Sequence, residues 1–66
     1  MSVITKSLEE RVRGEFLEMP GLRLTPQQAA RLWAVDRITA ELVLEALVSF
    51  GFLVRTPDGG YLRSSV

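Results

Sequence analysis

The chain has 66 residues, the length of one small domain near the lower limit for a self-sufficient core. Eight basic side chains balance eight acidic ones, so the chain lacks the basic excess that is typical of DNA-binding domains. Cysteine and histidine are absent, which excludes disulfides and thiolate metal sites and removes the commonest general base.

The N-terminal residues indicate neither secretion nor a membrane span. Charges begin at Lys6 and the long apolar run of a signal peptide does not follow them, and no run in the chain reaches about 18 apolar residues. We therefore expect a cytoplasmic protein of bacterial type, with residues 1–66 forming a single domain whose core covers residues 7–63.

The first predicted helix begins at Ser7, because Ser7 and Glu10 have the spacing of a capping box, and it ends before Pro20. Leu17 lies on its polar side, either as a single exposed leucine or as part of a second packing surface. Helical spacing predicts one buried stripe on this helix, formed by Leu8, Val12, Phe16 and Met19.

A short strand and a second helix follow. Residues 22–24 alternate apolar and polar side chains, as a strand does. Thr25 is a good N-cap and Pro26 suits the first helical position, so the helix is predicted to begin there. The predicted core positions of this helix are Ala29, Leu32 and Trp33.

The third helix and a hairpin complete the chain. Asp36 is predicted to cap a helix that runs to Phe50, where Gly51 supplies a left-handed terminating residue. Residues 52–56 and 61–63 are predicted strands, joined by the turn sequence PDGG. The predicted fold is mainly α with a small β hairpin.

The third helix is predicted to have two distinct faces. At about 100° per residue, Ala40, Val43, Leu44 and Leu47 form its core stripe, with Val48 and Phe50 at the margins. The opposite face carries Ile38, Leu42, Glu45 and Ser49. The flanks carry Arg37 and Glu41 on one side of the core stripe and Thr39 on the other.

The stretch LTPQQAARLWAVDRITAELVLEALVSFGFLVRTPDGGYLR resembles the winged helix-turn-helix domains of IclR-type and MarR-type bacterial regulators. The likeness rests on the threonine cap, the internal alanines, the Asp-Arg start of the third helix and the Arg-flanked hairpin. Short single-domain bacterial proteins share FLEMPGLRLT and QAARLW. The resemblance covers roughly residues 7–63. It implies three helices, a short strand and a C-terminal two-stranded wing.

The resemblance implies binding of double-stranded DNA and transcription regulation, with the third helix in the major groove and a dimer on paired half-sites. The polar side chains that would make such contacts also have a structural interpretation. Gln27 and Gln28 would be solvated helix residues, Arg37 would pair with Glu41, and Arg55 and Arg63 would protect a hairpin edge. The expected DNA contacts are Thr25, Gln27, Gln28, Arg37, Ile38, Thr39, Glu41, Leu42, Arg55 and Arg63.

An alternative function is protein interaction or self-association. Position 42 is often arginine or another polar residue in the DNA-binding families, and here it is leucine. Ile38 and Leu42 stand one turn apart opposite the core stripe, and apolar patches of this kind tend to mark contact surfaces. A homodimer or another protein would bind this patch, with Leu17 as a further candidate.

No catalytic constellation is present in the sequence. Glu9, Glu10, Glu15 and Glu18 fit the solvated face of the first helix, and the glycines at 59 and 60 fit a turn rather than a phosphate-binding loop. We expect a protein that is not an enzyme, with no cofactor, no metal and no small-molecule substrate.

Overall fold

The computed structural model describes the backbone of residues 3–64 and the side chains of residues 6–64. The predicted mainly helical chain with a small C-terminal hairpin is confirmed. The helices are α1 (Val3–Glu18), α2 (Pro26–Trp33) and α3 (Arg37–Ser49), and the strands are β1 (Arg23–Leu24), β2 (Leu53–Arg55) and β3 (Tyr61–Arg63).

The three strands form one antiparallel sheet in the order β1-β3-β2. Leu53 lies opposite Arg63, and Arg55 lies opposite Tyr61. Directly opposed residues, and residues two apart in a strand, point to the same face of a sheet. Both arginines therefore share a face with the buried Leu53 and Tyr61, which is the face turned toward the helices.

The core is organised around α3, which packs against α1, α2 and β2. The predicted core stripe of this helix is confirmed, because Ala40, Val43, Leu44 and Leu47 are all buried. The remaining buried apolar side chains come from every other element: Leu8, Val12, Phe16, Leu24, Ala29, Trp33, Leu53 and Tyr61.

The predicted caps of the second and third helices are confirmed. The Thr25 hydroxyl accepts from the Gln28 backbone N–H at 3.2 Å, and the Gln28 side chain accepts from the Thr25 N–H at 3.0 Å. Asp36 accepts from the Thr39 N–H at 2.7 Å. Gly51 has a φ of 79°, as its predicted place after α3 requires.

The predicted start of α1 is wrong, since the helix begins at Val3 and Ser7 lies inside it. A capping-box spacing marks the start of a helix only where the preceding residues are not helical. Residues 3–6 are helical, so α1 extends past Ser7 toward the N-terminus. The predicted burial of Met19 is also wrong, because α1 ends at Glu18 and Met19 is half exposed beyond it.

Two further core predictions are wrong. Leu32 is exposed, because the short α2 turns Ala29 and Trp33 inward and leaves Leu32 on its outer side. Phe50 is exposed because the chain turns at Gly51, and Phe52 packs against the core instead.

The connection between α2 and α3 is unusually tight. Ala34 adopts the left-handed conformation with a φ of 56°, and its N–H and that of Val35 both donate to the Ala30 carbonyl. A non-glycine residue in this region carries backbone strain. The packing of α2 against α3 therefore holds this turn in place.

No helix in residues 3–64 combines the length and apolar character that crossing a membrane requires.

The opposite environments of Leu44 and Leu42 predict opposite responses to truncation. Leu44 is fully buried, so Leu44→Ala should lower the free energy of unfolding by about 2–5 kcal/mol, which approaches the total stability of a small domain. Leu42 is 64% exposed, so Leu42→Ala should change it by less than about 0.5 kcal/mol. Urea unfolding measures both, and equal losses would contradict the orientation of α3.

Candidate functional site

The outward face of α3 is the most exposed apolar surface on any helix of the described chain. Ile38 is 69% exposed and Leu42 is 64% exposed, as the two-faced helix predicted. Arg37 and Glu41 are exposed beside them. The Arg37–Glu41 ion pair that the structural interpretation predicted is not formed, since the two ion pairs among residues 6–64 involve other residues. Arg37 is thus open to a ligand.

The polar residues at the start of α2 are partly committed to capping. Thr25 and Gln28 satisfy each other's backbone N–H groups, so only Gln27 of the three presents an uncommitted, exposed side chain. Thr39 is half buried at the start of α3. Hydrogen bonding from Thr39 lowers the pKa of Asp36, which keeps this cap charged. Capping therefore fixes the two helix starts and leaves Gln27 and Arg37 at the surface.

Glu45 joins α3 to the hairpin through three hydrogen bonds. Arg55 donates from Nε to Oε2 at 2.8 Å and from Nη2 to Oε1, and the Tyr61 hydroxyl also donates to Oε2. These bonds, from Arg55 first and then Tyr61, lower the pKa of Glu45 to about 2. Burial, followed by the neighbouring carboxylate, raises the pKa of Tyr61.

The same contact changes the role of Arg55. Its guanidinium forms a two-bond pair with Glu45, so its charge is compensated within the fold. Sequence reasoning placed Glu45 on the solvated face of α3 and assigned it no partner. The pairing became visible only with the strand register, because ten residues separate Glu45 and Arg55 in sequence.

Arg63 also turns toward the helices. Its guanidinium lies 5.8 Å from the centre of the Phe52 ring, and Arg13 of α1 lies 5.4 Å from the same ring. Both distances are within the range of cation–π attraction. The predicted hairpin arginines thus do not project together from the hairpin: one is bound to Glu45 and the other stacks on an aromatic ring.

The tip of the hairpin contains polar contacts that the sequence analysis did not identify. Asp58 forms an ion pair with Arg23 of β1 and accepts from the Thr56 hydroxyl. The Thr56 hydrogen bond and, less strongly, the charge of Arg23 lower the pKa of Asp58. Thr56 also accepts from the Gly60 N–H at 2.9 Å, so the turn is rigidly closed.

The structure brings together some of the predicted site residues. Arg37, Ile38, Glu41 and Leu42 form one continuous exposed surface along the first half of α3, which we call the α3 outer face. Leu17 is exposed on a different helix, α1. Residues 37 and 45 are separated by about 12 Å of helix axis, which sets the hairpin contact apart from Arg37.

Comparison with protein-family models, with curated proteins and with solved structures gave no match for this chain. Among the described residues, no three acidic side chains are grouped closely enough to hold a metal ion.

The Glu45 contacts predict an acid-sensitive link between α3 and the hairpin. The pKa of Glu45 is lowered in the folded state, so its contribution to stability is present above about pH 4.5 and is lost as the pH falls toward 2. Glu45→Gln should lower the melting temperature by about 2–6 °C at pH 7, and this difference should shrink below about pH 4.5 and nearly vanish at pH 2.

The matched control is Glu41→Gln, which removes the same charge one turn earlier on α3, from a residue that forms no ion pair among residues 6–64. Its melting temperature should follow that of the unmodified protein. A Glu45→Gln difference that persists unchanged at pH 2 would show that the ion pair is not its cause.

Proposed function

We propose that this protein is a DNA-binding module of the winged helix-turn-helix kind and acts as a bacterial transcription regulator in the cytoplasm. The observation that carries the proposal is the arrangement of α2 and α3. A three-residue connection joins them, α3 buries one face, and its opposite face exposes Arg37, Ile38, Glu41 and Leu42. This arrangement fits a helix that enters a major groove.

The proposed contacts differ in the chemistry they offer to DNA. Arg37 and Gln27 are exposed at helix starts and suit phosphates or base edges. Ile38 and Leu42 suit thymine methyl groups, and Glu41 suits a cytosine amino group. Arg55 reaches DNA only in competition with Glu45, so it adds less than an unpaired arginine.

Affinity from a single copy should be low. Glu41 lies next to Arg37 on the α3 outer face and is repelled by phosphates, and the chain has no net positive charge. We therefore propose that two copies bind paired half-sites, which doubles the number of contacts. The role is one of binding rather than catalysis.

The DNA proposal predicts salt-sensitive binding that depends on Arg37. Fluorescence anisotropy with a labelled pool of random duplexes, starting at about 20 mM salt, measures both affinity and salt slope. Arg37→Ala should weaken binding about fivefold or more and reduce the salt slope by about one.

Lys6→Ala is the control for charge. Lys6 lies beside Arg13 and Phe50, near the other end of α3, so removing its charge should leave both quantities nearly unchanged. Equal effects of the two substitutions would indicate nonspecific electrostatic attraction. Absence of binding at low salt would contradict the proposal.

A second function is favoured by the composition of the same face. Ile38 and Leu42 are both more than 60% exposed, and burying two such side chains contributes about 1.5–3 kcal/mol each. Contact with a twofold-related copy would bury four such side chains, two from each copy. The charges of Arg37 and Glu41 on this face are opposite, so the face has no net charge to compensate. We therefore propose self-association through the α3 outer face as the alternative to DNA binding.

Self-association predicts that Leu42→Glu converts a dimer to a monomer while the helical circular dichroism is kept. Leu32→Glu is the matched control, because Leu32 is 53% exposed on α2, outside the α3 outer face. Sedimentation equilibrium without DNA measures the oligomeric state, and the effect of Leu42→Glu on it tests whether the α3 outer face forms the dimer. A protein that is monomeric at all concentrations tested excludes this alternative, and a dimer that survives Leu42→Glu uses another surface.

A further inference from the structure

A small cleft lies between the first half of α1 and the end of α2, on residues that neither proposed function uses. Its volume is about 270 Å³, and it is lined by Ser7, Leu8, Arg11, Trp33 and Val35. Ligand sites combine apolar walls with a few placed polar groups, and this lining has that composition. The volume is slightly below the usual range for drug-sized ligands, which limits an occupant to a small molecule.

Trp33, one of the residues that line the cleft, has an unpaired donor. Trp33 is only 4% exposed, and its Nε1 has no hydrogen-bond acceptor among the described residues. An indole nitrogen can only donate, and a buried donor without an acceptor is costly to the fold. An acceptor brought to this nitrogen by a ligand would remove that cost.

The lip of the cleft carries a cation. Arg11 is exposed, and neither ion pair in the described part of the chain involves it. Ser7 stands one turn earlier on the same face of α1, and both residues line the cleft. A guanidinium matches the planar geometry of a carboxylate, to which it donates two parallel hydrogen bonds.

We propose that this cleft binds a small organic monocarboxylate with a short hydrocarbon body. The carboxylate accepts hydrogen bonds from Arg11, Ser7 and the Trp33 indole N–H, and the hydrocarbon packs against Leu8 and Val35. The indole nitrogen is enclosed in the unbound structure, so the carboxylate reaches it only when side chains that line the cleft move. A phosphate ester fits less well, because the walls offer few donors and are mainly apolar.

The proposal is independent of DNA binding and of self-association, and its test uses neither. Trp33 is the only tryptophan in the chain, so its fluorescence and its single indole N–H resonance report on this cleft alone. Pentanoate is the probe. Pentanamide, which lacks the charge, and acetate, which lacks the hydrocarbon body, are the matched comparison ligands.

We expect pentanoate to bind saturably in the millimolar range and to move the indole proton downfield, as a new hydrogen bond does. Pentanamide and acetate should bind at least about tenfold more weakly. Arg11→Gln should weaken pentanoate binding about tenfold, whereas Arg13→Gln, two residues along α1 and outside the cleft, should not.

Three outcomes would overturn the proposal: no saturable change up to about 50 mM pentanoate, equal effects of the two arginine substitutions, or binding that leaves the indole resonance unmoved. Trp33→Phe keeps an aromatic ring and removes the donor together with the five-membered part of the indole. It should weaken pentanoate binding, followed by the methyl resonances of Leu8 and Val35, without unfolding the protein. Undiminished binding to Trp33→Phe would exclude the indole N–H from the site.

Discussion

The burial of one stripe of α3 is the constraint on which the rest of the structure depends. Val43, Leu44 and Leu47 are enclosed by α1, α2 and β2, and the buried apolar side chains of the other elements pack around them. Because a helix has only one side toward the core, fixing this stripe also fixes what faces outward. Ile38 and Leu42 are exposed as a direct consequence of where Leu44 lies.

The hairpin is fixed to this helix by electrostatics rather than by apolar contact alone. Glu45 lies at the boundary between the buried and exposed faces of α3, where it meets Arg55 and Tyr61 from two neighbouring strands. The contact orients the hairpin and at the same time removes one arginine from the surface available to a polyanion. The positive charge of Arg55 therefore stabilises the fold and is less available for binding DNA.

The two candidate surfaces are chemically different and lie on different parts of the molecule. The α3 outer face is broad, half apolar and suited to a macromolecule, whereas the cleft at Trp33 is small and has a cationic lip. Both surfaces adjoin the connection between α2 and α3: the cleft includes Trp33 and Val35, which flank the left-handed Ala34, and the α3 outer face begins at Arg37. A ligand in the cleft would therefore contact the residues that set the position of α3.

The sequence by itself determined the order of the elements, the caps at Thr25 and Asp36, and the two faces of α3, because these follow from local spacing and local hydrogen bonds. Local patterns were insufficient at helix ends, where Met19 and Phe50 are exposed although their spacing predicted contact with the core.

Only the tertiary structure decided the pairing of β1 with β3, the Glu45–Arg55 contact, and the stacking of Arg63 on Phe52. It also decided that the Trp33 nitrogen has no acceptor among the side chains of residues 6–64 and the backbone of residues 3–64. Each of these joins or isolates groups that are distant in the chain, and no periodicity encodes which distant groups meet. Their positions follow from how the sheet and helices pack around the buried stripe of α3.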